Sequence, residues 1–563
     1  MVVKHLNQIV RENKTLIAVF FMAWLTISFL QSFAPRYFQM VVDNFTDGTL
    51  TLANIAIYGA ALLAYNIISY LHEYPCRKLE HTIGLSLKLA ALRKLSVIDY
   101  LSHTKLGTGT LIQRIENGSE AGRFILFEFY LRLASELLPS MIFSIIFIAT
   151  INQTVMLTVL FGYVIVFIIS NLLLKALYRV KERILVNEEM FNHFLVRGFM
   201  EMVTFRINRR FSHEIRKANA ASKEIVSSTV KMKMVHEAFF ATFALLITFV
   251  KIGIIVYGWT TRELSIGQIV ALIVLVDNAY TPIAIFNVDY VQYKLEKIAF
   301  GRYTAFLDAK EDDRLTQGQP VAELRGDISF SQVSFNYNKR TIFDAFNLHI
   351  KQGTATAFVG ESGSGKSTAV KLLVGLLHPD NGRITVDGLD LKQVNLNSYY
   401  EHIAYLPQEP SVFDGTLREN LIFDEDREDA TLITAIEKMG LGDLYSKLEK
   451  GLDTPLGERG VTLSGGERQQ LALARLWFSK ANIVIFDEAT SAIDNLTEEV
   501  VMKNVMALLQ GKTVIAIAHR LDSVKSFDEI IVFQDGQIVE HGQFDELIGK
   551  GQHFYDLYNR ALA

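Results

Sequence analysis

The sequence predicts an all-α polytopic membrane domain followed by an α/β domain of the P-loop type, and three observations carry that fold class. Half of the 563 residues are hydrophobic, and mean hydropathy is +0.23, high for a chain folded wholly in water and natural for one partly in lipid. The long apolar runs lie before about Phe300. Beyond them the pattern changes to short β-branched strands alternating with helices, around Gly360-Glu361-Ser362-Gly363-Ser364-Gly365-Lys366-Ser367, which fits G-x-x-x-x-G-K-[ST].

Six segments reach the roughly 20 apolar helical residues that a hydrocarbon core requires. They run from Thr15 to Asn44, Ala53 to His72, Phe124 to Thr150, Thr154 to Tyr178, Ala238 to Trp259 and Ile266 to Phe286. Links within the successive pairs are short, whereas long polar stretches separate the second from the third and the fourth from the fifth. The stretch Arg77 to Arg123 holds 8 basic residues and Lys175 to Lys233 holds 13, against only Arg262 in the three short links. Basic residues are retained on the cytoplasmic side. The N-terminus, the long stretches and the P-loop domain are therefore expected inside, with the membrane helices extended far into the cytoplasm. Met1 to Lys14 carries Val3, Leu6, Ile9 and Val10 at helical spacing and is expected along the inner membrane surface.

The first apolar stretch is too long for a secretory h-region and has no small-residue cleavage site after it, so it is expected to remain as an anchor. The charged run Asp308 to Gln319 and Pro320 reads as a linker. The domain assignment is 1–307 transmembrane, 308–325 linker and 326–563 nucleotide-binding. A net charge of −4 argues against nucleic-acid binding. Cys76, the single cysteine, excludes an internal disulfide and a Cys-rich metal site.

In a P-loop the glycines let the backbone wrap a phosphate, and the N–H groups with the following helix N-terminus hold the anion. Lys366 is expected to reach the β/γ-phosphates of ATP, and Ser367, followed by Thr368, to ligate Mg²⁺. A second apolar strand ends in Asp487-Glu488. Asp487 at a strand end can hold the Mg²⁺ shell, and Glu488 beside it can polarise an attacking water. A third strand, Val514 to Ala518, ends in His519, placed to contact the γ-phosphate.

With Leu463-Ser464-Gly465-Gly466-Glu467 standing shortly before the second carboxylate motif, the chain resembles the ABC transporter family. Tyr337 looks like the aromatic residue that stacks on adenine, Gln408 in Leu406-Pro407-Gln408-Glu409 like the Q-loop glutamine, Ser491-Ala492-Ile493-Asp494 like the D-loop, and His519 like the switch histidine. Gly457-Glu458-Arg459-Gly460 and the order of six helices before one ATPase resemble an exporter-type half transporter, as does the weaker match Leu264-Ser265-Ile266-Gly267. Glu467 departs from the glutamine more common in exporters.

The resemblance implies an ATP-hydrolysing exporter of an amphipathic substrate, in a multi-pass protein of the bacterial inner membrane. Each ATP would lie between the P-loop of one protomer and Ser464 and Gly466 of the other. Lipid flipping or import of a metal chelate is the alternative within transport, and an ATP-gated channel or regulatory subunit the alternative outside it. Because the P-loop, signature, Glu488 and His519 are all intact, a homodimer is favoured over a heterodimer. Motion is expected to pass through cytoplasmic turns near Ile98 to Lys105 and Phe205 to Arg210.

Charged residues inside the apolar segments stand out. Glu128, Arg132 and Glu136 recur at i, i+4 and i+8, and Lys251 and Asp277 lie well inside segments five and six. Each costs about 2.5 to 3.5 kcal/mol at a helix centre on insertion scales, so each should face a partner or a watery cavity. Two readings stay open: internal ion pairs, Arg132 with its neighbouring carboxylates and Lys251 with Asp277, or a substrate pathway. Pro282 is expected to free backbone groups and bend the sixth segment near Asp277.

Overall fold

A computed structural model describes residues 2–106, 108–337, 340–423, 427–457, 460, 463–518 and 520–562. The chain divides into two compact units, Met1–Leu95 with Leu106–Ala309, and Ser96–Lys105 with Lys310–Ala563.

The first unit is helical throughout. α1 (Val2–Glu12) precedes α2 (Lys14–Thr46) and α3 (Leu52–Leu95); α4 (Tyr100–Leu106) belongs almost wholly to the second unit. α5 (Thr108–Arg123) then runs through a π-helical stretch, Phe124–Leu131 and Leu133–Leu137, into α6 (Leu138–Ile151). α7 (Gln153–Met200), α8 (Met202–Ile207), α9 (Phe211–Thr261) and α10 (Ile266–Leu307) complete the unit. Among the described residues five helical spans are long and apolar enough to cross a membrane, and Gln153–Val166 adds a shorter apolar stretch at the start of α7. These spans cover five of the six expected segments, and the fourth segment falls within α7. The multi-pass membrane character follows from them.

Most apolar side chains on these spans face outward, as Trp259 and Phe249 do at 78% and 71% exposure, which suits lipid and not water. The inward faces meet on α10. Leu272, Leu275, Val276, Ala279 and Tyr280 cluster with Val155 and Val159 of α7 and Phe243 and Ile254 of α9. The Tyr280 hydroxyl donates to the Val159 carbonyl at 2.9 Å, and that of Tyr163 to the Ala279 carbonyl at 2.9 Å, so both phenols satisfy their polar tips inside an apolar cluster. α10 runs on across Pro282, which is buried, to Leu307. Asn278, whose carbonyl lies four residues before that proline, accepts from the Gln31 amide of α2 and donates to the Gln31 backbone carbonyl. α1 buries Leu6 and Ile9 and sets His5 Nε2 3.0 Å from the Asp308 carboxylate.

The second unit holds two sheets. β1 (Ile328–Tyr337), β2 (Arg340–Ile350), β4 (Asn381–Val386) and β5 (Leu389–Asp390) form an antiparallel sheet in the order β2-β1-β4-β5. β3 (Ala355–Gly360), β6 (Ile403–Leu406), β7 (Ile483–Asp487), β8 (Thr513–Ile517), β9 (Glu529–Gln534) and β10 (Gln537–Gly542) form the other, in the order β10-β9-β3-β8-β7-β6. Five of its strands are parallel, and only β10 runs against its neighbour. β3, β7 and β8 are almost wholly buried, which explains their unbroken apolar runs.

The insertion Ser96–Lys105 is part of this unit. Tyr100 and Leu101 lie against its apolar core, the Asp99 N–H donates to the Lys310 carbonyl at 3.0 Å, and Asp99 Oδ2 accepts from Ser102. Arg314 reaches the carboxylate of Asp312 and the carbonyls of Gly375 and Leu391, and so fastens the start of the unit to its core.

Gly267 at the start of α10 is a close-approach position, since its N–H donates to Asp43 Oδ1 at 3.0 Å. A Cβ there would stand 2.5 Å from the Gln39 carbonyl oxygen and 2.6 Å from Asp43 Oδ1. Gly267→Val is expected to cost about 1–3 kcal/mol by overpacking, read as a lower thermal midpoint of the full chain in detergent. An unchanged midpoint would show that α2 and α10 are not locked there.

Candidate functional site

The chemistry gathers beyond the C-terminal ends of the parallel strands, the usual place for ligands on such sheets. β3 leads into the P-loop, β7 ends at Asp487 with Glu488 next, and β6 precedes Gln408. His519, after β8, lies outside the described residues, as do Glu458 and Arg459 of the segment before the signature.

Gly360 has φ 142°, and a Cβ on it would come 2.2 Å from the Phe533 carbonyl oxygen. Only glycine lets the loop turn beside β9. α11 (Lys366–Leu373) begins immediately after Gly365, so its free N–H groups point back into the loop. Lys366 is buried, and its Nζ donates to the carbonyls of Gly360 at 2.8 Å and Glu361 at 2.9 Å. Burial pulls its ammonium below the ordinary lysine value, while the fields of Glu488 and Asp487 act in the opposite sense. An arriving phosphate offers that desolvated ammonium an anionic partner in place of two carbonyls. Ser364 is buried behind the loop, and its carbonyl accepts from the Gly536 N–H at 3.1 Å. Glu361 faces solvent and pairs with Arg560 at 3.2 Å, and Ser362 is exposed.

Tyr337, at the end of β1, lines one cleft of about 290 Å³ with Gly363, Gly365, Lys366, Ser367 and Thr368. The cleft thus sets an aromatic ring beside the glycine-rich loop and its lysine. Arg340 lines the same cleft and was not picked out from the sequence. Its Nη2 lies 3.8 Å from where a Cβ on Gly363 would be, which adds a positive charge beside the loop.

Asp487 is buried and accepts from the Tyr405 hydroxyl at 3.1 Å. Burial, then the Asp487 charge, pushes that phenol up, so it stays a donor. Glu488 has φ 54°, a sparsely populated region for a residue with a side chain and one that recurs at functional sites. Gln408 Nε2 donates to Glu488 Oε2 at 2.6 Å.

Among the described residues no group of three or more His, Cys, Asp or Glu is arranged to hold a metal. The hydroxyl, amide and single carboxylate of Ser367, Gln408 and Asp487 are a weak set by themselves. They fit Mg²⁺, which keeps several waters and takes substrate phosphate oxygens with one or two protein ligands.

Ser464 caps α12 (Gly465–Ala474). Its hydroxyl accepts from the Glu467 N–H at 3.2 Å while Glu467 Oε2 accepts from the Ser464 N–H at 2.6 Å. A capping box takes glutamate or glutamine at this place, which accounts physically for Glu467. Ser464 is exposed, and neither it nor Gly465 nor Gly466 lines the cleft of the P-loop.

Gln469, buried one turn into α12, was also missed. Its Nε2 donates to the Ser491 hydroxyl at 3.2 Å and to the Gln408 carbonyl at 3.4 Å, and its Oε1 accepts from the Ala492 N–H at 2.8 Å. One amide thus ties the signature helix to the loops that follow β6 and β7. Its partners come from distant loops, so no local pattern marks it.

In the first unit, Arg132 Nε donates to Glu136 at 2.8 Å, with Glu128 at 3.8 Å and Asp289 at 3.9 Å. Lys251 pairs with Asp277 at 2.7 Å. The structure therefore brings together both sets of charges expected to pair and adds Asp289, which the sequence reading passed over.

Residues 343–491 match the family described as "ABC transporter". Over 375 residues the chain is 36% identical to an ATP-dependent permease, MDL1, of Candida albicans, an alignment covering 64% of this chain and 53% of that one. It is 37% identical over 297 residues to the leukotoxin translocation ATP-binding protein LktB of Mannheimia haemolytica, covering 52% and 42%. The chain thus spans about half the length of the curated relatives it matches. Its fold is that of a bacterial Atm1-family ABC exporter solved with ATP bound, with a TM-score of 0.84, 99% of each chain covered and 22% identity. Fold and site together define an ABC-type nucleotide-binding domain fused to one helical membrane region. Residues 343–491 thus carry the ABC transporter match, and the chain has the fold of a half-transporter exporter.

Gln469→Leu keeps the volume and removes three hydrogen bonds, leaving the Ala492 N–H unpaired at about 1–3 kcal/mol. ATP hydrolysis at saturating nucleotide is expected to fall about tenfold with a smaller change in KM. Phosphate release read against fluorescent-nucleotide binding checks this, and an unchanged kcat would show that the amide positions nothing.

Proposed function

We propose that the chain is an ATP-driven exporter of an amphipathic substrate that works as a homodimer, with the nucleotide domain on the cytoplasmic side of a bacterial inner membrane. The observation that supports the reading is that Tyr337 shares a cleft with the P-loop and Gln408 bonds Glu488, while Ser464 is exposed and does not line that cleft. A second copy supplying Ser464 and Gly466 would complete it. The tip around α8 supports association as well, because Phe199, Met200, Val203 and Ile207 are 62–81% exposed, an apolar surface that a lone chain would leave in water.

In this reading Tyr337 holds the base and the P-loop N–H groups with Lys366 hold the β- and γ-phosphates. Mg²⁺, when bound by Ser367, Gln408 and Asp487, screens the phosphate charge. Glu488 takes the proton of the attacking water, its carboxylate oriented by Gln408, and the charge spreading onto the phosphoryl oxygens meets Lys366 and His519. ATP closes two such sites, and hydrolysis lets them reopen, which biases the membrane helices between inward- and outward-open states.

Glu488→Gln is expected to keep ATP binding while hydrolysis falls about 10²- to 10⁴-fold, measured as phosphate release in nanodiscs. Comparable rates would remove Glu488 from the role of base. The wild type should run as a dimer in lipid and drive ATP-dependent flux into sealed vesicles carrying outward-facing nucleotide domains. A monomer with no hydrolysis would overturn the homodimer.

A further inference from the structure

The π-helical stretch Phe124–Leu137 and α10 meet in a cluster that combines unbalanced charge with aromatic rings. Arg132 spends its hydrogen bonds on Glu136, and Arg123 spends its own on Glu80 at 2.7 Å and Glu120 at 2.9 Å. Glu128 lies 3.7 Å from Arg123 and 3.8 Å from Arg132, and Asp289 lies 3.9 Å from Arg132, all beyond hydrogen-bond reach. These two guanidiniums face five carboxylates: Glu80, Glu120, Glu128, Glu136 and Asp289. Arg77, which also bonds Glu80, brings Glu73 with it and leaves the negative excess unchanged. Asp289 Oδ2 is sealed from solvent with no hydrogen-bond partner among the described residues, an acceptor that native structures do not leave without cause.

Beside these carboxylates stands a wall of rings. Phe129 stacks on Tyr293 with centroids 4.2 Å apart, Tyr290 stacks on Phe286 at 5.8 Å, and Tyr130 meets Tyr293 edge-on at 5.8 Å. Lys294 Nζ already sits 5.4 Å from the Tyr290 centroid, which shows that a ring face of this wall accepts a cation. Depth agrees along both helices. At about 1.5 Å per residue, Glu128 lies roughly 35 Å from Ile151, and Asp289 the same from Ile266. That is the inner boundary of a hydrocarbon core about 30 Å thick, where an amphiphile keeps its charge near water and its body in lipid. The π-helical turns fall at the same place, and such turns recur at functional sites.

We propose that Glu128, Asp289 and the Phe129, Tyr290 and Tyr293 rings form the substrate site, and that it takes an amphipathic organic cation. An anion would meet excess negative charge. A neutral molecule would leave the charge of Asp289 unanswered, and a small hydrated ammonium would lose its water without covering the rings. A weakly hydrated cation on an apolar body meets both demands. The proposal rests on the transporter reading and deepens it.

The test uses the full chain in nanodiscs with two probes of like shape and opposite charge, tetraphenylphosphonium and tetraphenylborate, corrected for partition into empty nanodiscs. Tetraphenylphosphonium is expected to bind at least tenfold more tightly and to stimulate ATP hydrolysis. Asp289→Asn and Glu128→Gln should each weaken it by at least about tenfold, with Asp289→Glu retaining it. The comparison of the two probes on the wild type needs no variant, so it stands even if a substitution misfolds. Equal affinity for both probes, or tetraphenylphosphonium affinity within twofold in the double variant, overturns the site. If the wild type hydrolyses ATP and is blind to probe charge, the site fails while the transporter reading stands. Tight tetraphenylphosphonium binding with no response of hydrolysis upholds the site and sinks the transporter reading.

Discussion

A backbone inside hydrocarbon finds no water, so every N–H and C=O must be bonded within its own segment. That constraint shapes the first unit more than any side chain does. It makes each crossing a helix, and it removes hydrophobic burial as the force between helices, because lipid is as apolar as leucine. What remains is close approach and buried polar groups that find partners. Both are visible: Gly267 lets α10 touch the backbone of α2, and the hydroxyls of Tyr163 and Tyr280 reach carbonyls on facing helices. The helices run to 44, 48, 51 and 42 residues for α3, α7, α9 and α10, about twice what a bilayer needs. Helix continues beyond the apolar stretch because the polar parts still carry a helical pattern.

The second unit obeys a different rule, and the contrast made it legible. Buried parallel strands read as short β-branched runs, so the strand read as Val514 to Ala518 lies within a residue of β8. Their C-terminal ends give the site its positions for free, since a ligand at such an edge meets whatever follows each strand. The P-loop, Asp487 and Glu488 were readable because each motif is local and follows a strand, and Gln408 through its resemblance to the Q-loop glutamine. The stretch near Ile98 to Lys105 was readable as a turn between helices. Its membership of the nucleotide-binding unit was not, because that depends on Tyr100 and Leu101 lying against a core assembled from residues more than two hundred positions later.

Gln469, Arg340 and Asp289 escaped for one shared reason. Each acquires its meaning from partners brought by tertiary structure. Gln469 sits in a helix where glutamine is unremarkable, and only the convergence of Gln408, Ser491 and Ala492 on its amide distinguishes it. Asp289 lies three residues beyond the sixth apolar segment as read from the sequence, where a carboxylate would ordinarily be solvated. The helix instead turns it toward Arg132, and one of its oxygens is sealed from solvent.

Glu488 shows how the two kinds of information combine. The sequence supplies a carboxylate next to a buried aspartate; the structure adds a left-handed backbone and a 2.6 Å hydrogen bond from Gln408. Strain of that kind costs of order 1–3 kcal/mol and persists only where the surroundings fix it. Here they do, because the Glu488 N–H donates to the Ile517 carbonyl at 3.3 Å and the next loop is held through Ser491 and Ala492 by Gln469. That glutamine stands on α12, whose first turn displays Ser464 to solvent. The helix that displays Ser464 is therefore the one that fixes the loop beside Glu488, and the connection between them is a single amide side chain.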